Sequence, residues 1–346
     1  MPSPVISAAI DRMLGGDDLG RDGAAEALEV VMAGEAGDAQ TAAFLIALRA
    51  KGETAEELAG LAAAIRARAQ HVEAPDGPFI DTCGTGGGRS TFNISTAAAF
   101  VVAGAGVSVA KHGNRSATSK CGSADVLEAL GARIDLTPEA VGACLRETGL
   151  GFMFAPAHHP AFTHIVPVRR ALGVRTIFNM LGPLTNPAGA PRQVLGVSDV
   201  AYLERMGRAL AELGTERALL VRGRDGMDEL STAALSDVVQ VTDGEVTVTH
   251  IDPAELGFAP PPDGAIEGGD PGHNAAVLTS VLAGEPGPAR DVVVLNAAAG
   301  IWLAGAAPDL PGGVAAARAS IDSGAARDRL AAFVDATRSL AVPAPY

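Results

Sequence analysis

Phe79-Ile-Asp-Thr-Cys-Gly-Thr-Gly-Gly-Gly-Arg-Ser-Thr-Phe-Asn-Ile-Ser-Thr96 is the stretch on which the fold turns. Phe79 to Cys83 reads as a short strand, the glycines that follow as a loop, and Ser95 to Gly104 as a helix. A strand that passes through a glycine loop into a helix opens an α/β unit with a mainly parallel sheet. In Gly84-Thr85-Gly86-Gly87-Gly88 the backbone amides can approach an anion unobstructed, and the helix N-terminus behind them adds positive potential. The loop is neither a Walker A sequence nor a GxGxxG fingerprint, and alone it would also serve as a tight structural turn. Asn93, Ile94, Ser95 and Thr96 bring short polar donors to the helix start, where the commoner role of Ser and Thr is capping.

Working outward, strand and helix patterns alternate. A second strand is expected at Val107 to Ala110, then a helix capped by Ser123 and running to Leu130, and another from Thr137-Pro138-Glu139 to about Gly149. Further strands are expected at Arg192 to Val197, Ala218 to Val221 and Val238 to Val241, with a helix at Ala201 to Leu213. Before residue 72 no strand is visible. Apolar positions recur at helical spacing after Asp22 and Asp38, and Thr54-Ala-Glu-Glu57 forms a capping box. The proline-containing stretch Glu73 to Pro78 marks the boundary, so the fold class is α/β: a small all-helical domain, then a large α/β domain with a mainly parallel central sheet. From Asn274 onward, Ala-rich helices return, for example Asn274 to Leu282 and Val292 to Leu303.

The chain has 346 residues, a length that favours about two domains. A formal net charge of −14 disfavours nucleic acid as a partner, because phosphate backbones are bound by clustered Lys and Arg. Cys83, Cys121 and Cys144 are scattered and odd in number, which suggests neither a disulfide framework nor a zinc site. No signal-like N-terminus and no bilayer-length apolar run is visible, so no membrane role and a cytoplasmic location are expected.

Lys111-His112-Gly113-Asn114-Arg115 follows the second strand, where open parallel sheets place their ligand crevice. Two cations, an imidazole, an amide and a glycine in succession suit an anion better than a solvated face. Thr118, Ser119, Gly122 and Ser123 extend this segment with hydroxyls and a glycine. Asp228-Glu229 offers hard oxygens suited to Mg²⁺, although such pairs are more often surface charge. Arg169, Arg170 and Arg175 could grip a carboxylate bidentately or merely pair with helix carboxylates. His158, His159 and His164 lack ligand-spaced carboxylates and are read as packing or lining residues.

Taken together, Gly84-Thr-Gly-Gly, Asn93-Ile-Ser-Thr96, Lys111-His-Gly-Asn-Arg115, Gly122 to Gly131, Arg175-Thr-Ile-Phe-Asn179, Gly182-Pro-Leu-Thr-Asn-Pro187 and Asp228-Glu229 resemble the motifs of the anthranilate phosphoribosyltransferase family in order and approximate spacing. The resemblance runs over nearly the whole chain, to Ser320-Ile-Asp-Ser-Gly-Ala325. It implies a homodimer of two-domain subunits: residues 1–72, completed by helices from about 162–190, and residues 73–346. It also implies the reaction of anthranilate with 5-phosphoribosyl 1-pyrophosphate, with Mg²⁺, in tryptophan biosynthesis.

Carried onto this sequence, the resemblance assigns phosphoribosyl pyrophosphate to Gly84, Gly87, Gly88, Thr91, Asn93, Ile94, Ser95, Thr96, Lys111, His112, Gly113, Asn114, Arg115, Ser119 and Ser123. Anthranilate falls to Gly84, His112, Asn114, Arg169 and Gly182, and the metal to Ser95, Asp228 and Glu229. Lys111, Asn114 and Arg169 are the expected catalytic set. The family loop usually reads Gly-Thr-Gly-Gly-Asp-Gly, whereas here Gly87 is followed by Gly88 and Arg89 and the stretch to Asn93 is one residue shorter. Arg89 is expected to contact the pyrophosphate in place of the missing aspartate. A pyrimidine nucleoside phosphorylase and a non-catalytic nucleic-acid-binding paralogue are the alternatives; Asn114-Arg115, Gly182 to Pro187 and Asp228-Glu229 argue against the first, and the acidic charge against the second.

Overall fold

The computed structural model describes residues 1–116 and 119–341. Four helices come first: α1 (Pro4–Leu14), α2 (Gly20–Met32), α3 (Asp38–Lys51) and α4 (Ala55–Arg68). The capping box at α4 is present. Thr54 Oγ1 accepts from Glu57 N at 3.1 Å, and Glu57 Oε2 accepts from Thr54 N at 2.9 Å. Glu57 is fully buried and its other oxygen accepts from Leu19 N at 2.8 Å, so the same carboxylate ties the α1–α2 turn to α4.

The remainder follows the order β1 (Phe79–Gly84), α5 (Ile94–Gly104), β2 (Ser108–Gly113), α6 (Ser123–Ala129), α7 (Pro138–Thr148), β3 (Leu150–Phe154), α8 (Ala155–His158), α9 (Val166–Leu172), α10 (Phe178–Leu181), β4 (Arg192–Gly196), α11 (Val200–Glu212), β5 (Arg217–Gly223), β6 (Ser236–Thr242), β7 (Glu245–Ile251), α12 (Pro271–Leu282), α13 (Pro288–Leu303), α14 (Leu310–Asp322) and α15 (Ala325–Leu340). The seven strands form one sheet in the order β3-β2-β1-β4-β5-β6-β7. From β3 to β5 every pairing is parallel, and β6 and β7 are antiparallel. The chain builds outward from β1 in one direction and restarts at β4 in the other. The carboxyl ends of β1 and β4 therefore flank a topological switch point, the crevice in which such sheets bind ligands.

Three sequence expectations need correction. β2 runs to Gly113 rather than ending at Ala110, so Lys111, His112 and Gly113 belong to the strand and pair with Phe152, Met153 and Phe154 of β3. Charged residues suggest a loop because burying them is rare. Strands β3 and β7 are additional to the expected set. β3 is buried on both faces and shows no alternation, while β7 is an exposed edge strand. Ser123 is the first residue of α6, and Gly122 occupies the cap position.

Two large apolar cores lie against the sheet. One gathers α5, α13, α14 and α15; the other joins α1–α4 to α10, α11 and residues of β4–β6, including Ile177, Phe178, Leu181, Leu195 and Leu220. Among the described residues no helix is long and apolar enough to cross a membrane.

Candidate active site

At the switch point the glycine loop and three neighbouring segments enclose a cleft of about 340 Å³. Thr85 N donates to Gly196 O at 2.8 Å, and Ser198 N donates to Thr85 Oγ1 at 3.0 Å, which pins the start of the loop to the end of β4. Gly86 and Gly87 have φ of 64° and 88°, a region other residues rarely adopt. Gly88 is required by close approach: a Cβ there would lie 2.5 Å from Asp228 Oδ1 and 2.8 Å from Asp228 N. The loop is thus laid directly on the segment that carries the acidic pair.

Lys111 and His112 point to opposite faces of β2, as successive strand residues must. Lys111 Nζ donates to Thr82 O and lies 3.4 Å from Ser95 Oγ. Burial lowers its pKa, and the carboxylate of Asp81 works against that. Asp81 is itself fully buried, accepting from His112 N at 3.1 Å and from Asn186 Nδ2 at 2.8 Å. This carboxylate therefore joins β1, β2 and the Gly182–Pro187 stretch. It was not singled out from sequence, although an acid inside an apolar strand is a usable signal.

His112 Nδ1 lies 3.1 Å from Gly182 O, which can only accept, so Nδ1 carries the proton; Nε2 lies 3.3 Å from His159 Nε2. Burial, reinforced by the neighbouring histidines, pushes His112 down to about 3 and His159 to about 4. Both are held neutral in the fold while an unfolded histidine protonates near 6.5. The unfolded chain takes up these protons first on acidification. Their contribution is complete above about pH 6.5 and is lost as pH falls towards 4 and then 3, at up to about 1.4 kcal/mol per imidazole per pH unit. Urea midpoints are expected to fall between pH 7 and pH 5, and less steeply in His159→Asn; equal slopes would refute this origin.

Asp228 and Glu229 lie in the turn between β5 and β6, and both line the cleft. Glu229 is pushed up to about 8, first by burial and then by the charge of Asp228. Burial likewise raises Asp228. Neither has an ion-pair partner among the described residues. Two partly buried carboxylates with no direct ion-pair partner among the described residues, near Lys111, Arg175 and the Ser95 end of α5, have the chemistry of a divalent-cation site completed by ligand oxygens and water. Among the described residues no three His, Cys, Asp or Glu side chains gather as a metal set, so any such ion would need those further ligands.

Another part of the cleft wall is built by α9 and α10. Arg169 is partly buried, which lowers its pKa; its guanidinium lies 5.2 Å from the centre of the Phe178 ring. It has no carboxylate partner among the described residues, so its charge is free for an anionic ligand. Beside it lie Gly182, Pro183 and Asn179.

Of the expected site residues, Gly84, Gly87, Asn93, Ser95, Thr96, Lys111 to Arg115, Ser119, Ser123, Arg169, Gly182, Asp228 and Glu229 all line this cleft. Gly88, Thr91 and Ile94 are outside the lining. Thr91 bridges to Glu267, and Ile94 is buried in the apolar core. Asn93 has its side chain occupied by Asn274, at 2.8 Å, and by Cys121. Arg115 is turned to Glu128 and Asp125 on α6 in exposed pairs. Arg89 is outside the lining and lies 3.9 Å from Asp225. Thr118 falls outside the described residues. The Thr96 hydroxyl is buried with no partner among the described residues. Arg175, to which the resemblance gives no ligand, also lines the cleft and donates to Gly86 O at 3.2 Å and Ser198 Oγ at 3.3 Å. All three cysteines are free and buried.

Comparison with known proteins adds relatives to this geometry. Residues 76–327 match the glycosyl transferase family a/b domain, and residues 7–69 match the glycosyl transferase family helical bundle domain. The chain is similar to an anthranilate phosphoribosyltransferase of Rubrobacter xylanophilus, 52% identical over 340 residues that cover 97% of this chain and 99% of that one. The crystal structure of anthranilate phosphoribosyltransferase from Thermus thermophilus superposes with a TM-score of 0.90 at 44% identity, covering 95% of this chain and 99% of that one. The Saccharomyces cerevisiae enzyme in complex with PRPP and Mg gives a TM-score of 0.88 at 27% identity, covering 97% of this chain and 98% of its own.

Proposed function

The chain belongs to the anthranilate phosphoribosyltransferase family, and from that premise we infer that it transfers the phosphoribosyl group of 5-phosphoribosyl 1-pyrophosphate to the amine of anthranilate. The products are N-(5-phosphoribosyl)anthranilate and pyrophosphate, a step of tryptophan biosynthesis. One observation carries the reading within this molecule. A single cleft is lined by an unpaired guanidinium beside an aromatic ring, Arg169 and Phe178, together with the glycine loop, Lys111 and the Asp228-Glu229 pair.

Anthranilate's amine is already nucleophilic, so neither a protein nucleophile nor a strong base is required. The chain's own residues act by placement. The amides of the glycine loop, with Ser95, Thr96, Ser119 and Ser123, hold the phosphate oxygens, and Lys111 faces the charge that grows on the departing pyrophosphate. Arg169 meets the acceptor's carboxylate. His112, held neutral with Nδ1 donating to Gly182 O, fixes the Gly182 segment against which the acceptor lies. Mg²⁺ belongs to the same proposal: Asp228, Glu229 and Ser95 would hold it, and it would offset the negative charge of the pyrophosphate. An apolar core shared by α1–α4, Ile165 and α10, which also continues into α11 and β4–β6, supports completing the helical domain of residues 1–72 with helices from about 162–190, within the span 73–346 that otherwise forms the large domain. A cytoplasmic homodimer is proposed on the family resemblance.

Anthranilate fluorescence is expected to decay when phosphoribosyl pyrophosphate and Mg²⁺ are added. In Arg169→Ala the KM for anthranilate is expected to rise roughly 10- to 100-fold, the loss of a charge-assisted pair, with little change in the KM for phosphoribosyl pyrophosphate. No decay with the unaltered protein would refute the activity. An unchanged KM for anthranilate in the variant would refute the role of Arg169.

A further inference from the structure

Asn296 takes no part in the roles above. It lies in the middle of α13, among Val292, Val293, Val294, Leu295, Ala297 and Ala298, and is 3% exposed. Its side chain meets the peptide groups of Leu230, the residue after Glu229. Leu230 N donates to Asn296 Oδ1 at 3.0 Å, Asn296 Nδ2 donates to Leu230 O at 2.9 Å, and the second amide proton goes to Val292 O at 2.9 Å.

A carboxamide presents a donor and an acceptor side by side, so it grips both polar groups of Leu230 much as a neighbouring strand would. An aspartate would keep the acceptor and lose the donor; an apolar residue would leave two buried backbone groups unsatisfied. Leu230 is fully buried, and so is Met227 on the other side of the acidic pair. Asp228 and Glu229 are therefore strung between two anchors: Met227, whose carbonyl accepts from Gly223 N at 2.9 Å, and Leu230, held at both peptide groups by Asn296. Loss of the second would let the pair shift relative to Ser95 and the glycine loop.

We propose that Asn296 is a positioning residue for Asp228 and Glu229, and through them sets the affinity for the divalent cation that accompanies phosphoribosyl pyrophosphate. The inference rests on the metal reading of that pair given above. Residues that orient metal-bound carboxylates typically alter metal affinity by about 10- to 100-fold when replaced.

The test is the Mg²⁺ dependence of anthranilate consumption in the full-length protein. Asn296→Ala is expected to raise the half-saturating Mg²⁺ concentration about tenfold, with kcat at saturating Mg²⁺ within a few-fold of wild type, and to speed hydrogen exchange at the Leu230 amide. Asn296→Ser, which keeps a hydroxyl able to hydrogen-bond and adds no charge, is expected to give a smaller shift and provides the measurement if the alanine variant does not fold. Ile301→Ala, further along the same buried helix, controls for destabilisation alone and is expected to leave the Mg²⁺ dependence unchanged. An unaltered Mg²⁺ dependence in both Asn296 variants, while Glu229→Gln shifts it, would overturn the inference. If Glu229→Gln shifts nothing either, the metal reading of the pair fails and the inference falls with it.

Discussion

Gly196→Ala is expected to lower kcat/KM by about 100-fold or more, although the substitution adds a single methyl group. Gly196 ends β4 at the switch point, and the backbone of the Asp228 segment lies across it. A Cβ at that position would stand 1.7 Å from Asp228 O and 2.8 Å from Asp228 C. No rotamer change can relieve a clash with backbone, so the acidic segment must rise by an ångström or more or the strand must yield. The same segment supports the glycine loop through Gly88, hence both walls of the phosphate side move together. Displacements of that size away from the reacting atoms can cost about two orders of magnitude in rate. Steady-state kinetics with a melting curve checks this. A variant that is folded and retains wild-type kcat/KM would show that the acidic segment does not need its position.

Lys111→Met is expected to lower kcat/KM for phosphoribosyl pyrophosphate by roughly 10²- to 10³-fold, the scale of losing one preorganised group facing developing negative charge. Lys111 is 2% exposed, yet its ammonium has no carboxylate within ion-pair distance among the described residues and donates instead to Thr82 O. Its charge is therefore offset only at a distance, chiefly by Asp81. Methionine matches the stem and removes the charge. Arginine is not expected to rescue, because a planar guanidinium cannot take the compact position between Thr82 and Ser95. A Lys111→Met enzyme within a few-fold of wild type, or full rescue by arginine, would refute the role.

Much of the fold is legible in the sequence because local periodicity and punctuation agree with the tertiary answer. The capping box at Thr54, the left-handed glycine after α7 and the glycine loop after β1 each carry their own chemistry. Boundaries at the site are less legible. The strand containing Lys111 and His112 extends beyond its apolar run because Asp81, far back in the chain, supplies the charge and the acceptor that make their burial tolerable. β3 offers no alternation because both of its faces are covered.

By itself the sequence determined the alternation of strands and helices, the helical lead, the glycine loop and the family, since these depend on residue type and spacing along the chain. Which of the polar residues share a cleft was decided only by the tertiary structure. Arg115 and Arg89 are as cationic as Lys111, but carboxylates on α6 and at Asp225 lie beside them. Arg169 has a ring and no carboxylate. Burial and the position of counter-charges set which cation remains available to a ligand, and both are produced by segments far apart in sequence. Asn296 makes the same point at greater distance: nothing in its helix suggests the site, and only packing of α13 against the β5–β6 turn brings its amide to Leu230.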